Sequence, residues 1–170
     1  MNEIEVREES PLQDEVRQLV SELNALLLQL SPPEFCFHMT VEEMAAPDTT
    51  VWIARRGGSA VGCGALRRHD ANLGEVKRMY VRPSEQGRGI AGTILSVIEA
   101  KAESEGLETL KLETGDRHPA AWRVYERAGF QRCAAFAGYP DSAYSVFYEK
   151  ALPRHLAVRV PEPILVDTSP

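Results

Sequence analysis

The sequence predicts a single α/β domain built on a mixed, mostly antiparallel sheet flanked by helices. Three observations predict it. Several short runs alternate apolar and polar residues with a period of two and are separated by turn residues. Two longer runs, one near the start of the chain and one from Ile90, carry apolar residues at helical spacing. Between them lies the stretch 75–92, EVKRMYVRPSEQGRGIAG, in which a strand, a glycine-rich loop and a helix follow one another.

Size and composition suit such a domain. The chain has 170 residues, enough for one sizeable core, with 44% apolar and 26% charged residues. Net charge is −6 and no basic tract is present, which argues against nucleic acid as a partner. An acidic surface would steer a cationic amine inward. No run is long and apolar enough to cross a membrane. Cys36, Cys63 and Cys133 are odd in number and lack metal-ligand spacing, so no metal is expected. With no signal peptide, they read as reduced thiols of a cytoplasmic protein, and Cys63 reads as a small core residue.

In chain order, Ile4 and Val6 alternate with charged residues and suggest a first strand. Ser10, Pro11 and Gln13 look like a helix start, with a capping serine, proline at the first helical position and glutamine three residues after the cap. The helix that follows has one apolar face (Leu12, Val16, Leu19, Val20, Leu23, Leu26, Leu27) and should end before Pro32 and Pro33. Thr40 and Glu43 form a second capping box, predicting a short helix over 41–45. The preceding Phe35, Phe37, His38 and Met39 either touch a ligand or plug one end of the sheet.

Residues 50–55 and 60–66 read as strands joined by a hairpin at Gly57-Gly58, a dipeptide that tolerates positive φ. A turn over 70–74 leads into the central strand, which Pro83 ends because proline has no N–H to donate. From Ile90 the apolar residues Ile94, Val97, Ile98 and Ala102 continue a helix, with Lys101 in its last turns and Gly106 as its C-terminal cap. Residues 107–113 form the next strand, expected to lie parallel to the central one by a right-handed crossover. Pro119 opens another helix that Gly129 closes. Residues 130–136 and 144–149 supply two last strands around the loop Gly138-Tyr139-Pro140-Asp141. The domain spans 1–152. From Pro153 to Pro170 the chain becomes a proline-punctuated stretch with apolar residues such as Leu156 and Ile164, which reads either as a loose tail or as an arm docking on the same or a second subunit, as in a homodimer.

The loop 86–92 is an anion cradle by construction. Glycines let the backbone approach a ligand, and the first N–H groups of the helix have no partner of their own. Gly87, Gly89 and Gly92 spell G-x-G-x-x-G, and Glu113 lies downstream at the distance of a ribose-binding acid. A dinucleotide fold nevertheless needs the loop where its strand ends, whereas Arg82 to Gln86 intervene, and it needs repeated strand–helix–strand units. A P-loop is excluded because no Gly-Lys-Ser/Thr follows. The other pattern present is Gln-x-x-Gly-x-Ala, read as Gln86, Gly89 and Ala91.

That pattern resembles the pyrophosphate loop of the GNAT superfamily of acyl-CoA N-acyltransferases. A second stretch, His118-Pro-Ala-Ala121-Trp-Arg-Val-Tyr125-Glu-Arg-Ala-Gly129-Phe130, is similar to the family's Asn-x-x-Ala-x-x-x-Tyr-x-x-x-Gly-Phe, with His118 standing where Asn is usual. The resemblance covers about residues 50–150 and implies the GNAT fold. It implies an acetyl-CoA-dependent N-acetyltransferase that delivers the acetyl group to a primary amine of a small molecule by direct attack. It assigns the pyrophosphate to Gln86, Gly87, Arg88, Gly89, Ile90, Ala91 and Gly92. It assigns the pantetheine arm and the thioester carbonyl to main-chain groups of Met79, Tyr80 and Val81, and a pantetheine contact to His118.

Tyr125 would protonate the departing thiolate. Glu75, fourteen positions before Gly89, would take the amine proton directly or through water. Arg67, Arg68 and Arg78 lie near the central strands, where each could bind a carboxylate. Two other functions fit the same residues: a regulatory module that binds acyl-CoA without catalysis, and a protein or peptide N-acetyltransferase, for which an open groove rather than a closed pocket is expected. The acceptor stays open among amino acids, polyamines, antibiotics and peptides.

Overall fold

The computed structural model describes residues 3–154, so the predicted arm lies outside the described residues apart from Pro153 and Arg154. Seven strands form one mixed sheet in the order β1-β2-β3-β4-β5-β7-β6. They are β1 (Ile4–Glu8), β2 (Thr49–Arg56), β3 (Ser59–Arg68), β4 (Leu73–Val81), β5 (Thr109–Gly115), β6 (Gln131–Cys133) and β7 (Ser145–Ala151). Every neighbouring pair is antiparallel except β4 and β5, which run parallel. The helices are α1 (Asp14–Leu30), α2 (Val41–Met44), α3 (Ile90–Ser104) and α4 (Pro119–Arg127).

Each face of the sheet carries its own core. On one face α1 and α2 bury Val16, Leu19, Val20, Leu23, Val41 and Met44 against Val51, Ile53, Cys63, Ala65 and Tyr80. On the other, α3 sets Ile90, Ile94, Leu95, Ile98 and Ala102 on Trp52, Leu66, Val76 and Leu110, and Tyr125 of α4 joins them. Covering both faces explains why β2 and β3 read as nearly continuous apolar runs rather than as clean alternation. The hairpin between them turns at Gly57 and Gly58, both at positive φ.

Three boundaries differ from expectation. The first helix starts at Asp14, not at a Ser10 cap, because Ser10 Oγ accepts from Leu12 N (3.2 Å) and Gln13 Nε2 donates to Ser10 O (2.8 Å), so residues 10–13 close a turn of their own. The strand expected over 107–113 lies two residues later. The strand expected over 130–136 stops at Cys133. Past it the chain turns through Ala137 and Gly138, both at positive φ, and Phe136 packs on Tyr139 and Phe147 with ring centroids 5.3 and 5.9 Å away. Aromatic burial outweighs further ladder pairing there.

Helix α3 lies so close to the sheet that β3 has no room for a side chain under it. A Cβ at Gly64 would sit 2.6 Å from both Ile94 Cγ2 and Met79 Sδ. Gly64→Ala is expected to overpack this contact and cost about 1–3 kcal/mol, read as a lower urea midpoint at unchanged slope. An unchanged midpoint would mean that α3 is not seated in this way.

Candidate active site

The parallel pair β4 and β5 is short. Only Leu73↔Thr109, Gly74↔Leu110 and Glu75↔Lys111 are in register, and beyond Glu75 the two strands part. Residues 76–81 of β4 keep β3 as a neighbour, and the rest of β5 keeps β7. A β-bulge adds to the divergence: Lys77 faces Ala65 and Tyr80 faces Cys63, so Arg78 and Met79 together oppose Gly64. Arg78 takes φ +56, a left-handed conformation that side chains other than glycine rarely adopt. Between the diverging strands opens a cleft of about 770 Å³.

One side of the cleft is unpaired main chain. Arg82 N donates to Val61 O (2.9 Å), so Arg82 and, by alternation, Tyr80 turn their polar groups to β3. Val81 and Met79 turn theirs to the cleft, and Val81 O there accepts from Gln86 Nε2 (3.1 Å). Of the three residues expected to offer main-chain groups, Tyr80 is therefore corrected: its backbone serves the sheet, and its hydroxyl reaches Glu22 (3.2 Å).

The start of α3 closes one end. Gly87 and Gly89 hold φ +76 and +79, and Gly89 is the residue before the helix. Thr93 N already bonds Gly89 O (3.0 Å), which leaves the N–H groups of Ile90, Ala91 and Gly92 without helical acceptors. No acidic residue stands in the first turn and no side chain caps it, so the positive end of the dipole is uncompensated. A Cβ at Gly92 would meet nothing within 4 Å, so glycine leaves open space beside these donors. Ile90 sends its side chain into the core, and Gln86 braces the loop against Val81. Arg88 departs from expectation: it is the one residue of 86–92 not on the cleft wall, and its side chain is half exposed 3.7 Å from Glu85.

Helix α4 forms the opposite wall through Ala120, Ala121, Val124 and Tyr125. Tyr125 is buried between Phe130 and Tyr148, with ring centroids 6.1 and 6.0 Å away. No described residue hydrogen-bonds its hydroxyl. Burial, helped by the charge of Glu113, pushes that hydroxyl well above the usual tyrosine range. His118 precedes the helix with its ring against Gly115 and its Nε2 buried without a partner. Burial lowers its pKa, so it is neutral at pH 7.

The far end holds a knot of ionisable groups. Glu75, 2% exposed, accepts from Lys77 Nζ (3.2 Å) and Tyr139 OH at Oε1, while its Oε2 lies 2.6 Å from His69 Nε2. Lys77 Nζ also donates to Tyr139 OH (2.6 Å). Across the gap on β5, Glu113 accepts a single hydrogen bond among the described residues, from Ser145 Oγ (2.8 Å). Burial raises its pKa to about 7, with Glu75 adding and Ser145 and Lys77 opposing. Aromatic contacts roof this end: Phe35 on Tyr144 at 4.8 Å and Phe37 on Tyr139 at 5.1 Å join the segment before α2 to the loop before β7. A second cavity of about 260 Å³, reached past Arg67 and His69, touches the outer side of Glu75.

Comparison with known proteins decides the family. Residues 16–130 match the model of the acetyltransferase (GNAT) family. The Azospirillum brasilense protein named IAA acetyltransferase is 39% identical over 153 residues, 89% of this chain and 100% of that one. The chain belongs to the GNAT family. It is an acyltransferase of that family. A Klebsiella pneumoniae structure assigned to the acyl-CoA N-acyltransferases matches with TM-score 0.77 and 32% identity, covering 88% of this chain and 97% of that one. A GNAT acetyltransferase from Elizabethkingia anophelis, solved with acetyl-CoA bound, shares the fold at TM-score 0.62 and 15% identity, covering 89% of this chain and 100% of that one.

In this GNAT chain the cleft brings together Met79 and Val81, Gln86, Gly87 and Gly89 with the first turn of α3, His118, Tyr125 and Glu75. Glu113 was legible only as a ribose-binding acid of a dinucleotide fold. Its place in the cleft follows from β5 lying beside β4, which spacing along the chain does not reveal. A carboxyl raised from 4.5 to about 7 carries an ionisation penalty of about 3 kcal/mol above neutrality. The penalty is absent below pH 4.5, where the group is protonated folded or unfolded, and complete above pH 7. Glu113→Gln should therefore be more stable than wild type by up to about 3 kcal/mol at pH 8.5, with the gap closing toward pH 4 in denaturant titrations. A gap independent of pH would contradict the assignment.

Proposed function

We propose that this protein transfers the acetyl group of acetyl-CoA to the primary amine of a small molecule by direct attack in a ternary complex. The observation that carries the reading is that one cleft joins an uncompensated helix N-terminus, an unpaired strand edge, the Tyr125 hydroxyl and two carboxylates. Closure of the far end by Phe35, Tyr144, Phe37 and Tyr139 favours a small acceptor over a protein chain, which needs an open groove.

Bound acetyl-CoA supplies a thioester that an uncharged amine attacks, with CoA leaving as the thiol. The N–H groups of Ile90 to Gly92 would hold its pyrophosphate, and the open space at Gly92 admits it. Met79 and Val81 would bind the pantetheine arm and polarise the carbonyl through main chain. Tyr125 keeps its proton at neutral pH and would give it to the departing sulfur. An alkylammonium with a pKa of about 10 must lose a proton before it attacks. Glu75 was expected to take it, but its oxygens already serve Lys77, Tyr139 and His69. Glu113 has one protein donor and a pKa of about 7, matched to a base working near neutrality. We assign proton removal to Glu113, and to Glu75 the task of fixing Lys77 and Tyr139 and passing protons outward to His69.

The cofactor assignment is tested by calorimetric titration with acetyl-CoA. Gly92→Glu, at a helical position with no neighbour to displace, should fold normally and bind at least about ten-fold more weakly, since it sets a carboxylate where phosphate belongs. Equal affinity would overturn the placement of the pyrophosphate.

The base assignment is tested by pH profiles of acetyl transfer. Wild-type kcat/KM should rise through about pH 7 as Glu113 ionises. Glu113→Gln should abolish that rise and lower the rate about 10²-fold or more. Loss of the rise in Glu75→Gln but not in Glu113→Gln would return the role to Glu75.

A further inference from the structure

Three arginines near the central strands could meet a ligand carboxylate, and the fold sorts them. Arg67 Nε lies 3.3 Å from Asp48. Arg68 makes two bonds to Glu105, at 2.6 and 2.8 Å. Arg78 has no acid: among the described residues no carboxylate comes within ion-pair distance of it, although it is only 7% exposed. Its one side-chain hydrogen bond runs from Nη2 to Asn24 Oδ1, and its Nε is sealed from solvent without an acceptor.

The contrast extends to other half-buried arginines. Arg55, Arg56 and Arg82 are all more exposed than Arg78, and each is paired with a glutamate at 3.0 Å or less. A buried guanidinium without a counter-charge is costly. Here it sits on the bulged, positive-φ residue of β4, a conformation that carries strain of its own. Both costs fall on a residue of the cleft wall, beside Lys77 and three positions from Glu75.

The phosphates of CoA do not account for it. Their cradle is at the α3 end, whereas the Arg78 guanidinium turns to α1 at Asn24 and lies near enough to His38 to lower that histidine's pKa further, after burial. We propose that Arg78 is the anion subsite of the acceptor pocket, so that the acceptor is an amine that also carries an acidic oxygen group, a carboxylate or a phosphonate. Asn24 positions the guanidinium. The proposal rests on the acetyl-transfer reading and narrows its substrate class.

The test uses the full-length protein with matched pairs of amines: amino acids against their carboxamides, and aminoalkylphosphonates against the corresponding alkylamines. Transfer is followed by thiol release, and binding by calorimetric titration into the CoA-loaded protein. Wild type should favour at least one acidic series about ten- to a hundred-fold in kcat/KM, mainly through KM, and the series that wins distinguishes carboxylate from phosphonate. In Arg78→Gln the acid-to-neutral ratio should collapse toward one, and Arg78→Lys should restore part of it. Arg67→Gln, the paired surface arginine, should leave the ratio intact. Because the readout is a ratio, loss of folded enzyme cancels.

A wild-type ratio near one, or a ratio unaffected by Arg78→Gln, overturns the proposal while leaving acetyl transfer standing. If no amine turns over but acidic amines bind selectively in an Arg78-dependent way, the subsite stands and the catalytic reading falls. If no acidic amine either binds or turns over, the subsite is refuted.

Discussion

The parting of β4 from β5 after Glu75 and Lys111 is the constraint on which the rest of this structure depends. Two parallel strands that stayed paired would leave no cleft. Two that separated in the core with both edges bare would strand too many polar groups. Here each strand keeps a complete antiparallel neighbour on its far side, β3 for β4 and β7 for β5. The gap therefore exposes only one edge of each. Those edges line the cleft: Met79 and Val81 present main chain from β4, and Glu113 presents a side chain from β5. The bulge at Arg78 and Met79 then bends β4 away and fixes which residues face which way.

Around the gap each helix has a task set by where it begins. α3 starts where β4 leads, so its free N–H groups look into the same opening, and the absence of an acidic first turn keeps that end positive. α4 starts after β5, and its apolar side brings Tyr125 between Phe130 and Tyr148 on the cleft wall. α1 lies on the other face, and the chain after it crosses back so that Phe35 and Phe37 meet Tyr144 and Tyr139. Four aromatic rings from distant parts of the sequence thus close the end opposite the start of α3.

What the sequence disclosed was what local chemistry controls. Thr40 and Glu43 form both halves of the expected capping box. Gly87 and Gly89 adopt the positive φ that a tight cradle needs, and Gly129 at φ +89 ends α4 as expected. Tyr125 stood out in the sequence because the motif around it is one continuous stretch, running from His118 through α4 to Phe130. The groups that escaped notice owe their character to partners far along the chain. Glu113 titrates near neutrality because β7 and β4 bury it, and nothing within ten residues of it says so. The backbone direction of Tyr80 and the outward side chain of Arg88 were not legible because they depend on register with β3 and on the course of the loop in space. Ser10 was read as a cap because the serine-proline-glutamine spacing is right, yet its neighbours Leu12 and Gln13 use its oxygens first.

The charges on the cleft wall are not all compensated, and the pattern of the deficit is informative. Glu75 is balanced by Lys77 and supported by Tyr139 and His69. Lys77 stands 3.2 Å from Glu75, and its charge only partly offsets the burial that raises Glu113. Glu113 is thus an acid short of a cation, and Arg78, on the strand across the gap, is a cation short of an acid. Burial penalises each alone, and neither can relieve the other while the strands are apart. A ligand relieves both at once only if it brings an ammonium and an anion on one small frame. Its ammonium would then lose a proton to Glu113 in the reaction while its anion stayed on Arg78. On the proposed reading the uncompensated pair describes a zwitterionic acceptor, which would complete the electrostatics that the fold leaves open.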